Sequence, residues 1–159
     1  MVDIPRVIAV TDRTLLSAPL ADTIAAIAGA NPGRLAFQVR EKDLTDGDNL
    51  ALCRDIVAAA HRGHCPVLVN GRIDIAVAAG ADGVHLPEAG LAIAEARKLA
   101  SSLGRKDLLI GKSTHSLAAA LAAASAGADV IFLGPIWPTP KKIALGRPLG
   151  PAAITEATQ

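Results

Sequence analysis

Ala79-Gly-Ala-Asp-Gly-Val-His-Leu86 closes a helical stretch and opens a strand, and Ala126-Gly-Ala-Asp-Val-Ile-Phe-Leu133 makes the same move later in the chain. In each, the glycine suits the left-handed residue that terminates a helix, and the two residues after it turn into the strand. Two equivalent connections imply two equivalent βα units, and the rest of the chain follows the same alternation. Short apolar runs at 6–10, 35–40, 66–70, 83–86, 108–111 and 130–134 alternate with alanine-rich helical patterns at 20–28, 48–61, 73–79, 91–103 and 117–126. Strands separated by helices read as a parallel sheet with helices outside it. A last stretch, 151–158, suits a sixth helix beyond the Pro- and Gly-rich segment 134–150.

Two architectures fit this pattern, a doubly wound open sheet and a (βα)8 barrel. A dinucleotide-binding sheet should carry a glycine-rich fingerprint after its first strand. Val10-Thr-Asp-Arg-Thr14 stands there instead, with no glycine. In a barrel, polar residues from the ends of several strands converge on one mouth, and here every strand after the first delivers one. The expectation is therefore a single α/β domain over residues 1–159, of the (βα)8 TIM-barrel type, ending after six units. Six units alone would leave strands one and six as bare edges. A fragment or interrupted reading frame is the favoured explanation, ahead of completion by another chain or a rearranged homodimer.

Composition narrows the function. The net charge is +1 and the only aromatics are Phe37, Phe132 and Trp137, which argues against a nucleic-acid binder with its basic patch and stacking platforms. No apolar run reaches the ~18 residues of a membrane-spanning helix, and the start lacks the charged and apolar regions of a signal peptide. Cys53 and Cys65 are too few for a disulfide framework. A soluble, cytoplasmic domain is expected.

The chemistry starts at Phe37-Gln-Val-Arg-Glu-Lys42. A strand's period of two would send Gln38, Arg40 and Lys42 to one face and Phe37, Val39 and Glu41 to the other. Cations at a strand's carboxyl end need partners, since desolvating an unpaired charge is costly. Further strand ends bring Asn70-Gly-Arg72, His85-Leu-Pro-Glu88, Gly111-Lys-Ser-Thr-His115 and the run Gly134 to Lys142. One mouth would then hold at least four cations, an amide and several hydroxyls, with no comparable acidic cluster. That set suits a phosphorylated or pyrophosphorylated small molecule.

Five motifs then resemble one family: Gln-x-Arg-x-Lys, Asn-x-Arg, Gly-Ala-Asp-Gly-Val-His-Leu, Gly-x-Ser-x-His and Gly-Pro-Ile-Trp-Pro-Thr-Pro-x-Lys, in that order. Together they look like thiamine-phosphate synthase and its relative, the thiazole tautomerase, over about residues 10–150. The resemblance implies a (βα)8 barrel and a phosphorylated pyrimidine or thiazole substrate. The synthase joins a pyrimidine methyl pyrophosphate to a thiazole phosphate through a pyrimidine carbocation. By resemblance, Arg40, Lys42, Asn70 and Lys142 hold the pyrophosphate, Gln38 orients the pyrimidine, Ser113 bonds the departing phosphate, and Thr139 faces the thiazole phosphate.

The departures from the family pattern matter as much. The synthase sets magnesium-binding aspartates where this chain has Gly71 and, by alignment, Gly90. Glycine offers a hard cation no side-chain oxygen, so no metal or other cofactor is expected, and magnesium only if the chain acts as a synthase. Glu88 is the nearby substitute. Asn70-Gly-Arg72 with His85-Leu-Pro87 looks closer to the tautomerase branch, whose base follows the glycine that ends strand six. Pro135 stands there, which leaves His85 and His115 as candidate bases, since imidazole titrates near neutrality. A non-catalytic, ligand-binding relative is the alternative.

Other features read as structure. His61, His64 and Cys65 have spacing suggestive of zinc, but they precede strand three at the end remote from the mouth, with no fourth ligand apparent. The strand-two cations could instead form a structural network with Glu41, Asp43 or acids from neighbouring strands. Trp137 between two prolines suits a loop anchor.

Overall fold

A computed structural model of the protein describes residues 4–139 and 147–158. Six strands, β1 (Ile8–Val10), β2 (Ala36–Val39), β3 (Val67–Asn70), β4 (Gly83–Leu86), β5 (Leu109–Thr114) and β6 (Val130–Leu133), form one sheet in sequence order. Every neighbouring pair is parallel, and the sheet curls into a half-barrel. The helices α1 (Leu20–Ala30), α2 (Asp46–His61), α3 (Ile73–Ala79), α4 (Ile93–Ser102) and α5 (Leu117–Ser125) fall between the strands, and α6 (Ala152–Ala157) follows β6.

The strand period sorts the side chains into two sets. Phe37, Val39, Val67, Val69, Val84, Leu86 and Ile110 pack with Ile24, Ile56, Ile73 and Ala96 in one buried core between sheet and helices. Each such side chain contributes about 1.5–3 kcal/mol on full burial, and this set fixes which face of each strand turns outward. The register then lines up the opposite face: Gln38 beside Leu68, Asn70 beside His85, His85 beside Gly111 and Ser113 beside Phe132.

The repeated Ala-Gly-Ala-Asp connection does what its glycines suggest. Gly80 and Gly127 have φ of 73° and 86°, a region open to glycine at little steric cost. Its aspartates do more. Asp82 Oδ2 accepts the Val67 N–H and lies within 2.8 Å of both that nitrogen and His61 Nε2. Asp129 Oδ2 accepts the Ile110 N–H at 2.6 Å and the Arg97 guanidinium at 2.5 Å. Each carboxylate thus ties a basic residue from a preceding helix to the start of a neighbouring strand. His61 is held in this staple, and no group of three metal-capable side chains gathers among the described residues.

Some element limits differ from the sequence reading, for local reasons. β2 stops at Val39 because the Arg40 N–H donates to Thr11 Oγ1 at 3.0 Å rather than to a neighbouring strand. Arg40 and Lys42 therefore lie just past the strand. β5 extends to Thr114 because Gly111 through Thr114 pair with β6. α2 starts at Asp46, where the Thr45 hydroxyl caps it by accepting the Asp48 N–H. No helix among the described residues is long and apolar enough to cross a membrane.

Candidate functional site at the carboxyl ends of the strands

Gln38, Asn70, His85 and Ser113 form a row of polar groups across β2 to β5. Gln38 is 4% exposed and its Nε2 donates to Asn70 Oδ1 at 3.1 Å. Asn70 Nδ2 is left without a protein acceptor among the described residues. His85 is 3% exposed, lies edge-on to Phe132 with centroids 4.2 Å apart, and places Nε2 2.7 Å from Ser113 Oγ. Burial first, then the positive charges of Arg40 and Lys112, pushes the imidazole down to about 4. This corrects the expectation that His85 is a base titrating near neutrality: at pH 7 it is neutral and weakly basic.

His115 is arranged the other way. Its Nδ1 lies 2.5 Å from the Gly134 carbonyl, which can only accept, so Nδ1 carries the proton and Nε2 is the basic atom. Glu88 Oε1 accepts the His115 backbone N–H at 2.8 Å, and Oε2 stands 3.9 Å from Nε2.

The cations divide into engaged and unengaged. Arg40 and Lys42 are exposed and make no side-chain hydrogen bond or ion pair with a described residue. The acids beside them have other partners. Glu41, 8% exposed, accepts from the Thr11 hydroxyl at 2.6 Å, the Arg13 N–H at 3.2 Å and the Arg13 guanidinium at 3.3 Å. Asp43 takes both prongs of the same guanidinium at 2.7 Å, which holds its carboxyl below the usual range. A network of Arg40 and Lys42 with these acids is thereby excluded, because Arg13 occupies them.

Two cations expected in the mouth are committed to structure. Arg72 is paired with Asp74 and Asp46 beside the start of α3. Lys112 Nζ donates to the carbonyls of Pro87, Gly90 and Leu91 at 3.0, 3.4 and 3.1 Å, which pins the loop after β4, and burial pushes its pKa down. The Thr139 hydroxyl donates to the Trp137 carbonyl at 3.2 Å. Trp137 is 61% exposed. Lys142 lies outside the described residues.

Sequence reasoning missed the roles of Arg13, Lys112 and Phe132. Lys112 did leave a signal, since a lysine that follows the apolar run 108–111 must reach a partner or solvent.

The magnesium ion that the resemblance implies finds no fitting donors. Gly71 and Gly90 carry no oxygen on a side chain. Glu88 Oε1 accepts the His115 N–H, and the loop carbonyls at 87, 90 and 91 already face an ammonium. A hard divalent cation using those carbonyls would have to displace Lys112 and would find in Glu88 one carboxylate where the family sets two aspartates. What remains among the described residues is a rim with two cations that have no partner, an amide donor and a serine hydroxyl, donors of the kind that suit an anion.

Comparison with known proteins points to one family. The family model described as thiamine monophosphate synthase matches residues 7–159. The chain is 45% identical to a putative thiamine-phosphate synthase of Geobacter sulfurreducens, over 87% of this chain and 63% of that protein. It is also 45% identical to the thiamine-phosphate synthase of Anaeromyxobacter dehalogenans, over 89% and 60%. The chain thus spans about three fifths of the length of these curated relatives. A solved thiamine phosphate pyrophosphorylase from Pyrococcus furiosus superposes with a TM-score of 0.78 at 26% identity, covering 95% of this chain and 68% of that one.

Proposed function

Because this chain belongs to the thiamine monophosphate synthase family, we propose that its mouth binds the phosphate or pyrophosphate of a thiamine precursor and serves the coupling of a pyrimidine methyl pyrophosphate to a thiazole phosphate. The observation that carries this reading is the unengaged pair Arg40 and Lys42 beside acids already neutralised by Arg13. A (βα)8-type frame fits the parallel order β1 to β6, and it gathers those groups at one rim.

In the coupling, the carbon–oxygen bond to pyrophosphate breaks, and the bonding pair leaves with oxygen. The thiazole nitrogen then captures the pyrimidine methylene cation. Negative charge grows on the departing oxygens, so fixed donors there lower the barrier more than they stabilise the bound substrate. Arg40 and Lys42 supply the positive field, with Asn70 Nδ2 and the Ser113 hydroxyl as directed donors. Gln38, held by Asn70, is placed to orient the pyrimidine. By resemblance, Lys142 is assigned to the pyrophosphate and Thr139 to the thiazole phosphate.

Magnesium has no role in this reading. Purified protein given both substrates should form thiamine phosphate no faster with magnesium than with EDTA, and thiamine phosphate should raise its melting temperature. A rate that climbs with magnesium contradicts the metal-free part. No melting shift with any precursor contradicts the binding reading. The basic Nε2 of His115 favours one second reading, proton transfer that isomerises a thiazole carboxylate phosphate. Turnover of that compound, lost in His115→Gln, would select it.

A further inference from the structure

We infer that His85 is a positioning residue: its Nε2–H donates to Ser113 Oγ and so turns the serine's own proton outward, as a ready donor to an anionic oxygen in the mouth. The inference deepens the proposed function and rests on it for the identity of that oxygen. It starts from one atom. Among the described residues, His85 Nδ1 is the buried side-chain nitrogen or oxygen with no hydrogen-bond partner.

Two neutral arrangements are compatible with the 2.7 Å contact between His85 Nε2 and Ser113 Oγ. If Nε2 accepted the serine proton, Nδ1 would have to carry the ring hydrogen. That hydrogen would be a buried donor with no acceptor, since Nδ1 has no hydrogen-bond partner and lies close beside Gly111, where a built Cβ would come within 3.0 Å of it. Orphaned buried N–H groups are rarer and costlier than an under-satisfied acceptor. The Nε2–H form is therefore favoured.

The charged form is disfavoured as well. Arg40 and Lys112 are the charged groups that act on His85, and both are positive. The ring cannot turn to escape, since it is buried and set edge-on against Phe132. With Nε2–H donating, Ser113 Oγ uses an acceptor site and keeps its hydrogen. No other protein partner of that hydroxyl exists among the described residues. The serine is left as a one-proton donor, oriented by a histidine that never itself touches the ligand. Its role is thus the reverse of a base activating a nucleophile.

Nuclear magnetic resonance of the whole chain decides the tautomer without any ligand. Long-range proton–nitrogen correlation of His85 should show the Nε2–H form throughout about pH 5.5 to pH 8. An Nδ1–H form, or an imidazolium in that range, overturns the inference. Calorimetric titration with inorganic pyrophosphate then tests the consequence. His85→Gln, which keeps a donor near the Nε2 position, should bind within about threefold of the unsubstituted chain. His85→Leu should weaken binding by about tenfold or more, since an anion-facing hydrogen bond is lost. Equal weakening in both variants, with both folded by circular dichroism, overturns the positioning role. If the unsubstituted chain does not bind pyrophosphate at all, the proposed function fails, and the tautomer spectrum alone decides the inference.

Discussion

His85 and His115 sit at the ends of adjacent strands and hold their protons on opposite nitrogens, and the difference comes from what each second nitrogen meets. His115 Nδ1 meets a carbonyl and must donate; His85 Nδ1 meets a glycine backbone and is best left bare. The burial that silences His85 as a base also couples it to stability. Unfolded, it titrates near 6.5; folded, it is held down to about 4 by desolvation and by Arg40 and Lys112. As the pH falls through this window the unfolded chain gains a proton that the folded chain refuses. Stability present above pH 6.5 is therefore lost towards pH 4, by about 3 kcal/mol from this group. Carboxylates held low by arginines, Asp43, Asp74 and Asp107, act at lower pH in the same direction. Urea unfolding at about pH 7 and pH 4.5 should show a smaller loss in His85→Gln than in the unsubstituted chain. An equal loss in both would contradict the assignment.

At the scale of elements, the repeated connection is the device that sets strand against strand. Asp82 and Asp129 each hold an N–H at the start of a neighbouring strand and a basic side chain from a helix. Removing either carboxylate leaves a partly buried N–H unmet. Asp82→Ala and Asp129→Ala should each cost about 1–3 kcal/mol, read as a fall in melting temperature. An unchanged melting temperature would show that water replaces the staple. The glycines of this connection were legible in the sequence, because a left-handed helix end has few alternatives. The aspartates' targets were not, because both lie in other βα units. The same holds for the site. Gln38, Asn70, His85 and Ser113 could be read as one row from strand parity alone. The fates of Arg72 and Lys112 could not, since they depend on where Asp46, Asp74 and the carbonyls of the 87–91 loop come to rest. Nor could the rescue of Arg40 and Lys42 by Arg13, which meets Glu41 and Asp43 from the loop after β1.

At the scale of the whole molecule, the site belongs to the middle of the sheet. Each of β2 to β5 pairs on both sides, and their side chains are largely buried, whereas β6 is half-buried along its length. Val10, Leu15, Leu16, Leu121 and Ile154 are exposed apolar groups near the two outer strands. Anion binding rests on the interior strands and is expected to hold in the chain as it stands. The most direct measurement is calorimetric titration of the purified chain with inorganic pyrophosphate in EDTA, at low and raised salt, beside Arg40→Ala. The account predicts saturable binding without a divalent metal, weakened by salt and by about tenfold or more in the variant. Binding that requires magnesium, or that is indifferent to Arg40, would contradict it.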